Sequence, residues 1–129
     1  MTTGLHAANL ADKVLNGIGR TGSFPSAGTL YVKLHTADPG AAGTTAASAV
    51  TTRQQATFSA SSGGSMAMTS MAAGFSMTTG ETITHISLWD ASSAGNFLWS
   101  GALTASKAVV NGDTLNITSL SLAFTRIAA

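Results

Sequence analysis

The sequence lacks cysteine and carries very little charge. Because there is no Cys among its 129 residues, a disulfide framework or a thiolate zinc site is excluded. Charged residues make up 9% of the chain, against about 25% in an average globular domain. Lys and Arg are few and scattered singly, so they form no basic patch for nucleic acid. A surface this poor in charge is typical either of a biased or thermostable composition or of a protein covered inside an assembly.

Long hydrophobic runs and internal repeats are also missing. No apolar run approaches the roughly 18 residues of a membrane span, so we expect no contact with a membrane. The N-terminus lacks a basic segment, and Asp12-Lys13 interrupts its apolar stretch, so we expect no secretory signal there. The chain has 44% hydrophobic residues and the length of a single domain, which is enough for one core.

One helix is predicted, over residues 5–18. Apolar side chains recur there at spacings of three and four, and Gly17 and Gly19 mark the end of the pattern. A helix of about 14 residues is marginal alone. Its apolar stripe should therefore dock either on the protein's own sheet or on a neighbouring subunit. The candidate protein-contact residues are Leu10, Val14, Leu15 and Ile18.

From residue 29 onward the hydrophobic period changes to two, which predicts strands. The predicted strands cover 30–35, 52–59, 66–75 with a break near Gly74, 82–90, 96–103, 108–110 and 114–117. The turn sequence Asn111-Gly112-Asp113 predicts a hairpin between the last two of these. The fold class predicted by about seven or eight short strands is mainly β, an antiparallel β-sandwich with a short N-terminal helix. We divide the chain into a helical arm and linker, 1–28, and a β-sandwich domain, 29–129.

Residues 40–51 form a long segment of small side chains with no hydrophobic period. Loops of this length are usually functional or mobile. We expect this one to be exposed, and either mobile in the free protein or ordered by a neighbouring subunit, because it cannot supply a core of its own.

Two glycine-rich motifs suggest chemistry only superficially. Residues 17–22 spell G-x-G-x-x-G, but a dinucleotide site needs a strand before the glycines and a helix after them. Here a helix precedes and Pro25 follows, so we interpret the motif as a helix end and linker. The segment Gly63-Gly-Ser-Met-Ala67 loosely resembles a nucleophile elbow, yet no helix follows it, and we interpret it as a turn.

The titratable residues do not form a recognisable site either. His6, His35 and His85 have no metal-ligand spacing, and the last two are predicted to face solvent or the rim of the sheet. Four of the five acids stand beside turn signals, where carboxylates stabilise turns and strand ends. The sequence thus predicts no catalytic, cofactor-binding or metal-binding residue, no cofactor and no enzymatic activity.

The aromatic residues Trp89 and Trp99, together with Phe97, leave three interpretations open. They fill the core, they anchor a protein interface, or they form a platform on which a sugar ring stacks. Whether the two indole rings are buried distinguishes the first interpretation from the others.

The order of several short segments resembles a family of small tail-fibre-like or minor structural proteins of long-tailed bacteriophages. The segments are Leu30-Tyr-Val-Lys-Leu-His-Thr-Ala-Asp-Pro-Gly40, Ala60-Ser-Ser-Gly-Gly-Ser65, Ile83-Thr-His-Ile-Ser-Leu-Trp-Asp-Ala91, Gly95-Asn-Phe-Leu98, Gly101-Ala-Leu-Thr104 and Gly112-Asp-Thr-Leu115. They run through most of residues 5–125. The family often has an Arg-rich segment after the long loop, where this chain retains only Arg53.

The resemblance implies a non-enzymatic virion protein, made in the host cytoplasm. It would decorate or cement the capsid, or form a small tail appendage, through contacts with other virion proteins and with its own copies. Neither a cofactor nor nucleic acid nor a membrane is implied. The alternative function is a host-surface or carbohydrate-binding module of the tail that uses Trp89 and Trp99.

Overall fold

A seven-stranded antiparallel sheet dominates residues 3–20 and 28–124, the part of the chain that the computed structural model describes. The strands of these residues are β1 (Gly4–Leu5), β2 (Leu30–His35), β3 (Gln54–Phe58), β4 (Ser65–Met71), β5 (Phe75–Ser76), β6 (Glu81–Trp89), β7 (Phe97–Val109), β8 (Thr114–Leu115) and β9 (Ser121–Ala123). The large sheet has the order β1-β7-β6-β2-β3-β4-β9, and β5 pairs with β8 in a small second sheet. The predicted fold class, mainly β and antiparallel with a short N-terminal helix, is confirmed.

The core lies on one face of the large sheet because the apolar residues of neighbouring strands pair in register. Val32 stands opposite Leu88, and Leu34 stands opposite Ile86. Since side chains alternate along a strand, these four project to the same side. Phe75 and Leu115 of the small sheet belong to the same buried cluster. The two sheets therefore enclose a single core.

The hairpin predicted around Asn111-Gly112-Asp113 is wrong, although its turn exists. The Asp113 amide donates to the Val110 carbonyl at 3.1 Å. However, β8 pairs with β5 and not with the end of β7. Met77 explains the difference, because its amide donates to the Asp113 carbonyl and its carbonyl accepts from the Gly112 amide. These bonds draw the turn toward β5, and Leu115 enters the core.

The helix begins later than predicted. Gly4–Leu5 pairs with Ser100 and Trp99 of β7 as an edge strand. The helix, α1, consists of a π-helical turn, Ala7–Ala11, and an α-helical segment, Asp12–Gly19. His6 caps its start by accepting a hydrogen bond from the Asn9 amide at 3.1 Å. The Asn9 side chain in turn donates to the Phe97 carbonyl at 2.9 Å, so the first turn is attached to β7.

The contribution of the small sheet to the core can be measured by truncating Phe75, which is fully buried. We expect Phe75→Ala to lower the free energy of unfolding by about 3–5 kcal/mol, because it removes a large side chain from a packed site. The matched control is Phe124→Ala, whose ring is 63% exposed and whose loss should cost no more than about 0.5 kcal/mol. Urea unfolding measures both, and equal losses would show that β5 lies outside the core.

Candidate functional site

A buried polar network occupies the face of the large sheet opposite the core. His35 on β2 and Ser87 on β6 are both 0% exposed. The His35 Nε2 atom lies 2.7 Å from the Ser87 hydroxyl, which also accepts a hydrogen bond from the Trp89 indole N–H at 2.8 Å. On its other side, His35 Nδ1 lies 2.9 Å from the Thr45 carbonyl oxygen. The network therefore connects two strands and a loop.

The hydrogen-bond partners of His35 determine which ring nitrogen carries the hydrogen in the neutral imidazole. A carbonyl oxygen can only accept, so Nδ1 carries the hydrogen and donates it to Thr45. Nε2 is then unprotonated and accepts from the Ser87 hydroxyl. Burial lowers the pKa of His35 from its ordinary value of 6.5; the hydrogen bond to Thr45 acts in the opposite direction, and Lys33 and His85 lower the pKa further. The neutral imidazole satisfies every bond in the network.

A serine beside a histidine is also the arrangement of a nucleophile and its base. Here both side chains are inaccessible, and the third partner is a backbone carbonyl and not a carboxylate. The geometry is that of a structural network. The prediction that His35 faces solvent or the rim is wrong, whereas His85 is half-buried and its Nδ1 lies 2.7 Å from the Thr84 hydroxyl.

The segment that buries His35 is residues 36–50, here called the covering loop. The Thr36 amide donates to the Ala46 carbonyl, and the Ser48 amide donates to the Leu34 carbonyl at 3.0 Å. The Ser48 hydroxyl donates to the Glu81 carboxylate, whose other oxygen accepts from the Ala49 amide at 3.2 Å. These bonds tie the loop to β2 and β6.

The expectation that residues 40–51 are exposed holds for only part of the segment, and its mobility in the free protein or its ordering by a neighbouring subunit stays a prediction. Gly43, Ser48 and Val50 are buried, and Val50 belongs to the core cluster. Gly43 has a positive φ of 70°, and a Cβ atom there would lie 2.5 Å from the Phe97 ring. Intrachain hydrogen bonds replace the hydrophobic period that the sequence lacks.

Trp89 is only 6% exposed, and both sides of its ring have neighbours. The Arg53 guanidinium lies 3.8 Å from the ring centroid, and the Phe97 ring centroid lies 5.5 Å away. Arg53 Nη1 also donates to the Ala91 and Ala94 carbonyls at 2.9 and 2.7 Å. This role of Arg53 was not predicted from the sequence. Its partners lie at least 36 positions further along the chain, and no local sequence pattern indicates such a contact.

Trp99 lies on the other side of the sheet. It stands opposite Leu88, the neighbour of Trp89 on β6, and packs against the core cluster as a half-buried side chain. Because consecutive residues of a strand point to opposite faces, the two indole rings do not form one platform. Each has its own environment.

The predicted contact residues of α1 divide into two pairs. Leu10 and Val14 are half-buried, whereas Leu15 is 66% and Ile18 is 72% exposed. Leu10 and Val14 line one wall of a groove of about 790 Å³ beside the helix. Apolar residues on its other walls include Trp99, Met66, Leu122 and Phe124.

Asp38, Asp90 and Asp113 stabilise turns, as predicted. Asp38 accepts from the Gly40 amide at 2.9 Å, and Asp113 accepts from the Val110 amide at 3.0 Å. Partial burial acts to raise the pKa of Asp90, but hydrogen bonds from the amide and side chain of Asn96 outweigh this and hold the pKa low. In residues 3–20 and 28–124 no three His, Asp or Glu side chains come together as a metal site would require.

Helix α1 ends within the glycine motif of residues 17–22, as predicted. Arg20 is extended, and its amide donates to the Asn16 carbonyl. Thr21 and Gly22 lie outside the described residues. The turn predicted from Gly63 is present as well, between β3 and β4. No helix in the described chain is long and apolar enough to cross a membrane.

These features define a small antiparallel β protein whose polar side chains hold its own loops in place, as in a structural subunit. A family model described as Podophage GP4 fiber I protein gp80 matches residues 6–125, and the chain belongs to this family. It is accordingly a phage tail-fibre-type protein and a virion component. The family match supports the predicted resemblance to tail-fibre-like proteins. It does not support the assignment to long-tailed phages in particular. No curated protein matches the sequence.

The close approach of the covering loop to Phe97 can be tested at Gly43. Gly43→Ala places a β-carbon on a residue with a positive φ, which costs about 1–3 kcal/mol. The β-carbon also clashes with the Phe97 ring. Gly112→Ala is the matched control, because Gly112 has a φ of 93° and nothing within 4 Å of an added Cβ.

We expect Gly43→Ala to lower the free energy of unfolding by about 1–3 kcal/mol more than the control does, through overpacking against Phe97. Equal effects of the two substitutions in urea unfolding would show that the loop does not press on the ring.

Proposed function

We propose that the protein is a non-enzymatic subunit of a phage tail appendage, attached to other virion proteins through α1 and the groove beside it. The observation that carries the proposal is the exposed apolar pair Leu15 and Ile18 on an amphipathic helix. An amphipathic helix normally buries its apolar face. In the part of the chain that the structure describes, the hydrogen bond that joins α1 to β7 comes from its first turn, and the exposed side chains Leu15 and Ile18 of the following segment are available to a partner.

The chemistry of this surface suits a protein partner. Exposed apolar patches rimmed by polar residues mark interaction sites. The groove continues the patch inward through Leu10 and Val14, and Lys13 and Asn9 lie at its rim. The net charge of +1 provides little repulsion between copies, so contacts between copies of the chain are compatible with this surface as well.

Attachment to the tail is preferred over decoration of the capsid because the family is described as a fiber protein. A single-domain β fold of this size has no repeat that could extend into a long shaft. We therefore place the chain as a compact subunit of a larger appendage, in which several copies add their weak contacts.

The alternative, a glycan-binding module that uses Trp89 and Trp99, has less support. Stacking requires an accessible aromatic face, but Trp89 is covered by Arg53 and the two rings are on opposite sides of the sheet. Trp99 alone lies in the groove and would have to supply the platform.

The docking surface is tested by replacing Leu15 and Ile18 with Gln in the phage. Both are exposed, and Gln is a good helix former, so the isolated variant should melt like the parent. We expect its incorporation into particles to fall by at least about tenfold, since burying an apolar side chain contributes about 1.5–3 kcal/mol. The measurement is the copy number per particle by quantitative mass spectrometry.

Val110→Gln is the matched control, because Val110 is also apolar and 61% exposed but lies at the end of β7. It should be incorporated normally. Normal incorporation of the Leu15 and Ile18 variant would contradict the docking surface. Glycan-array binding that Trp99→Ala abolishes would instead support the host-surface alternative.

A further inference from the structure

His35 is a titratable group whose bonds join the covering loop to the sheet. One nitrogen holds the Thr45 carbonyl in the loop, and the other holds Ser87 on β6. No described buried side-chain nitrogen or oxygen lacks a hydrogen-bond partner. Any change in the protonation of His35 must therefore disturb a network that is already complete.

Protonation changes the donors and acceptors in a definite way. The added proton on Nε2 turns that atom from an acceptor into a donor toward the Ser87 hydroxyl. Ser87 already accepts the Trp89 N–H, and its own hydrogen loses the acceptor that Nε2 provided. The hydrogen bond between His35 and Ser87 is then reversed, and the Ser87 hydroxyl hydrogen is left without an acceptor in the network. This unpaired donor and the fully buried positive charge are both unfavourable.

The surrounding charges do not offset this cost. The charged and titratable groups on the elements around His35 are Tyr31 and Lys33 on β2, His85 and Glu81 on β6, Lys107 on β7, Asp38 in the covering loop, and Arg53 above Trp89. Lys33 and His85 act against a charge on His35. Glu81 is occupied by Ser48 and Ala49, and Asp38 binds the Gly40 amide. β7 presents only Ser100 opposite Ser87.

We propose that His35 is an acid-sensitive latch. In its neutral form it holds the covering loop on the sheet, and on protonation it releases the loop. Release separates Gly43 from Phe97 and uncovers the ring that the loop presses upon. The bond from Nδ1 to the Thr45 carbonyl is retained on protonation, so release is driven by the hydration of the buried charge that an open loop allows.

The direction of the pH dependence follows from the pKa values of the two forms. The pKa of His35 is below 6.5 while the loop is closed and returns to about 6.5 when the loop is open. The open form therefore binds more protons as the pH falls. Closure is complete above about pH 6.5 and weakens by up to about tenfold per pH unit below it, until the lower pKa of the closed form is reached.

The test is hydrogen exchange of the full chain at about pH 7.5 and about pH 5, expressed as protection factors so that the intrinsic pH dependence of exchange is removed. We expect amides of the covering loop, such as Thr45 and Ser48, to lose protection by more than about twofold and by up to about thirtyfold, the limit that an open-form pKa of about 6.5 sets at pH 5. Amides of the β3–β4 hairpin, such as Ser59 and Ala72, should change by less than about twofold. Equal loss in the two segments would overturn the latch, since it would report general unfolding.

Two variants identify the responsible histidine. His35→Gln should remove the difference between the two pH values, even if the loop is less protected at both. His85→Gln is the matched control, because His85 is the register partner of His35 and bonds only to Thr84 among described side chains. It should retain the difference. A response that survives in His35→Gln, or that disappears in His85→Gln alone, would overturn the proposal.

A measurement on the unaltered protein keeps the test independent of how well His35→Gln folds. Imidazole nitrogen chemical shifts should show His35 protonated on Nδ1 near neutral pH, and the loop amides should shift together with the titration of His35. Titration of His35 at or above its ordinary pKa, with the loop amides unchanged, would overturn the latch.

Discussion

The antiparallel pairing of β2 with β6 is the constraint on which the rest of the structure depends. Its register places Val32 and Leu34 against Leu88 and Ile86 on one face, and His35 beside Ser87 on the other. A slip of one residue would exchange the two faces. The imidazole would then enter an apolar core without partners, and the aliphatic side chains would replace His35 and Ser87 beneath the loop, leaving the Thr45 carbonyl without its donor.

The two faces of this pairing are closed by different forces. On the core side, β5 and β8 contribute Phe75 and Leu115, and burial of apolar area is the stabilising term. On the other side, the covering loop supplies mostly small side chains, and hydrogen bonds at Thr45 and Ser48 hold it to the sheet. Hydrogen bonds to a buried group are sensitive to its protonation in a way that apolar contacts are not, so the polar face is the one that can respond to pH.

The same arrangement separates internal structure from external contact. Trp89 and Arg53 are used to fasten β6 to its neighbouring loops. Helix α1, in contrast, is attached at its first turn and presents Leu15 and Ile18 to solvent. In the proposed function, the contact with other virion components therefore falls to one short helix and not to the sheet.

The sequence by itself determined the local elements. Alternating side chains identified β2 and β6, and the turn residues Asp38 and Asp113 have the predicted roles. The apolar spacing of residues 5–18 predicted a helix, which begins two residues later in the structure. These features depend on neighbours a few residues apart, which a linear pattern records. The tertiary structure alone decided that β8 pairs with β5, that the covering loop is hydrogen-bonded to β2 and β6, and that His35 is buried. Each of these depends on which distant segment covers which face, and side chains such as Gly43, Thr45 and Ser48 carry no periodic signal of the partners they meet.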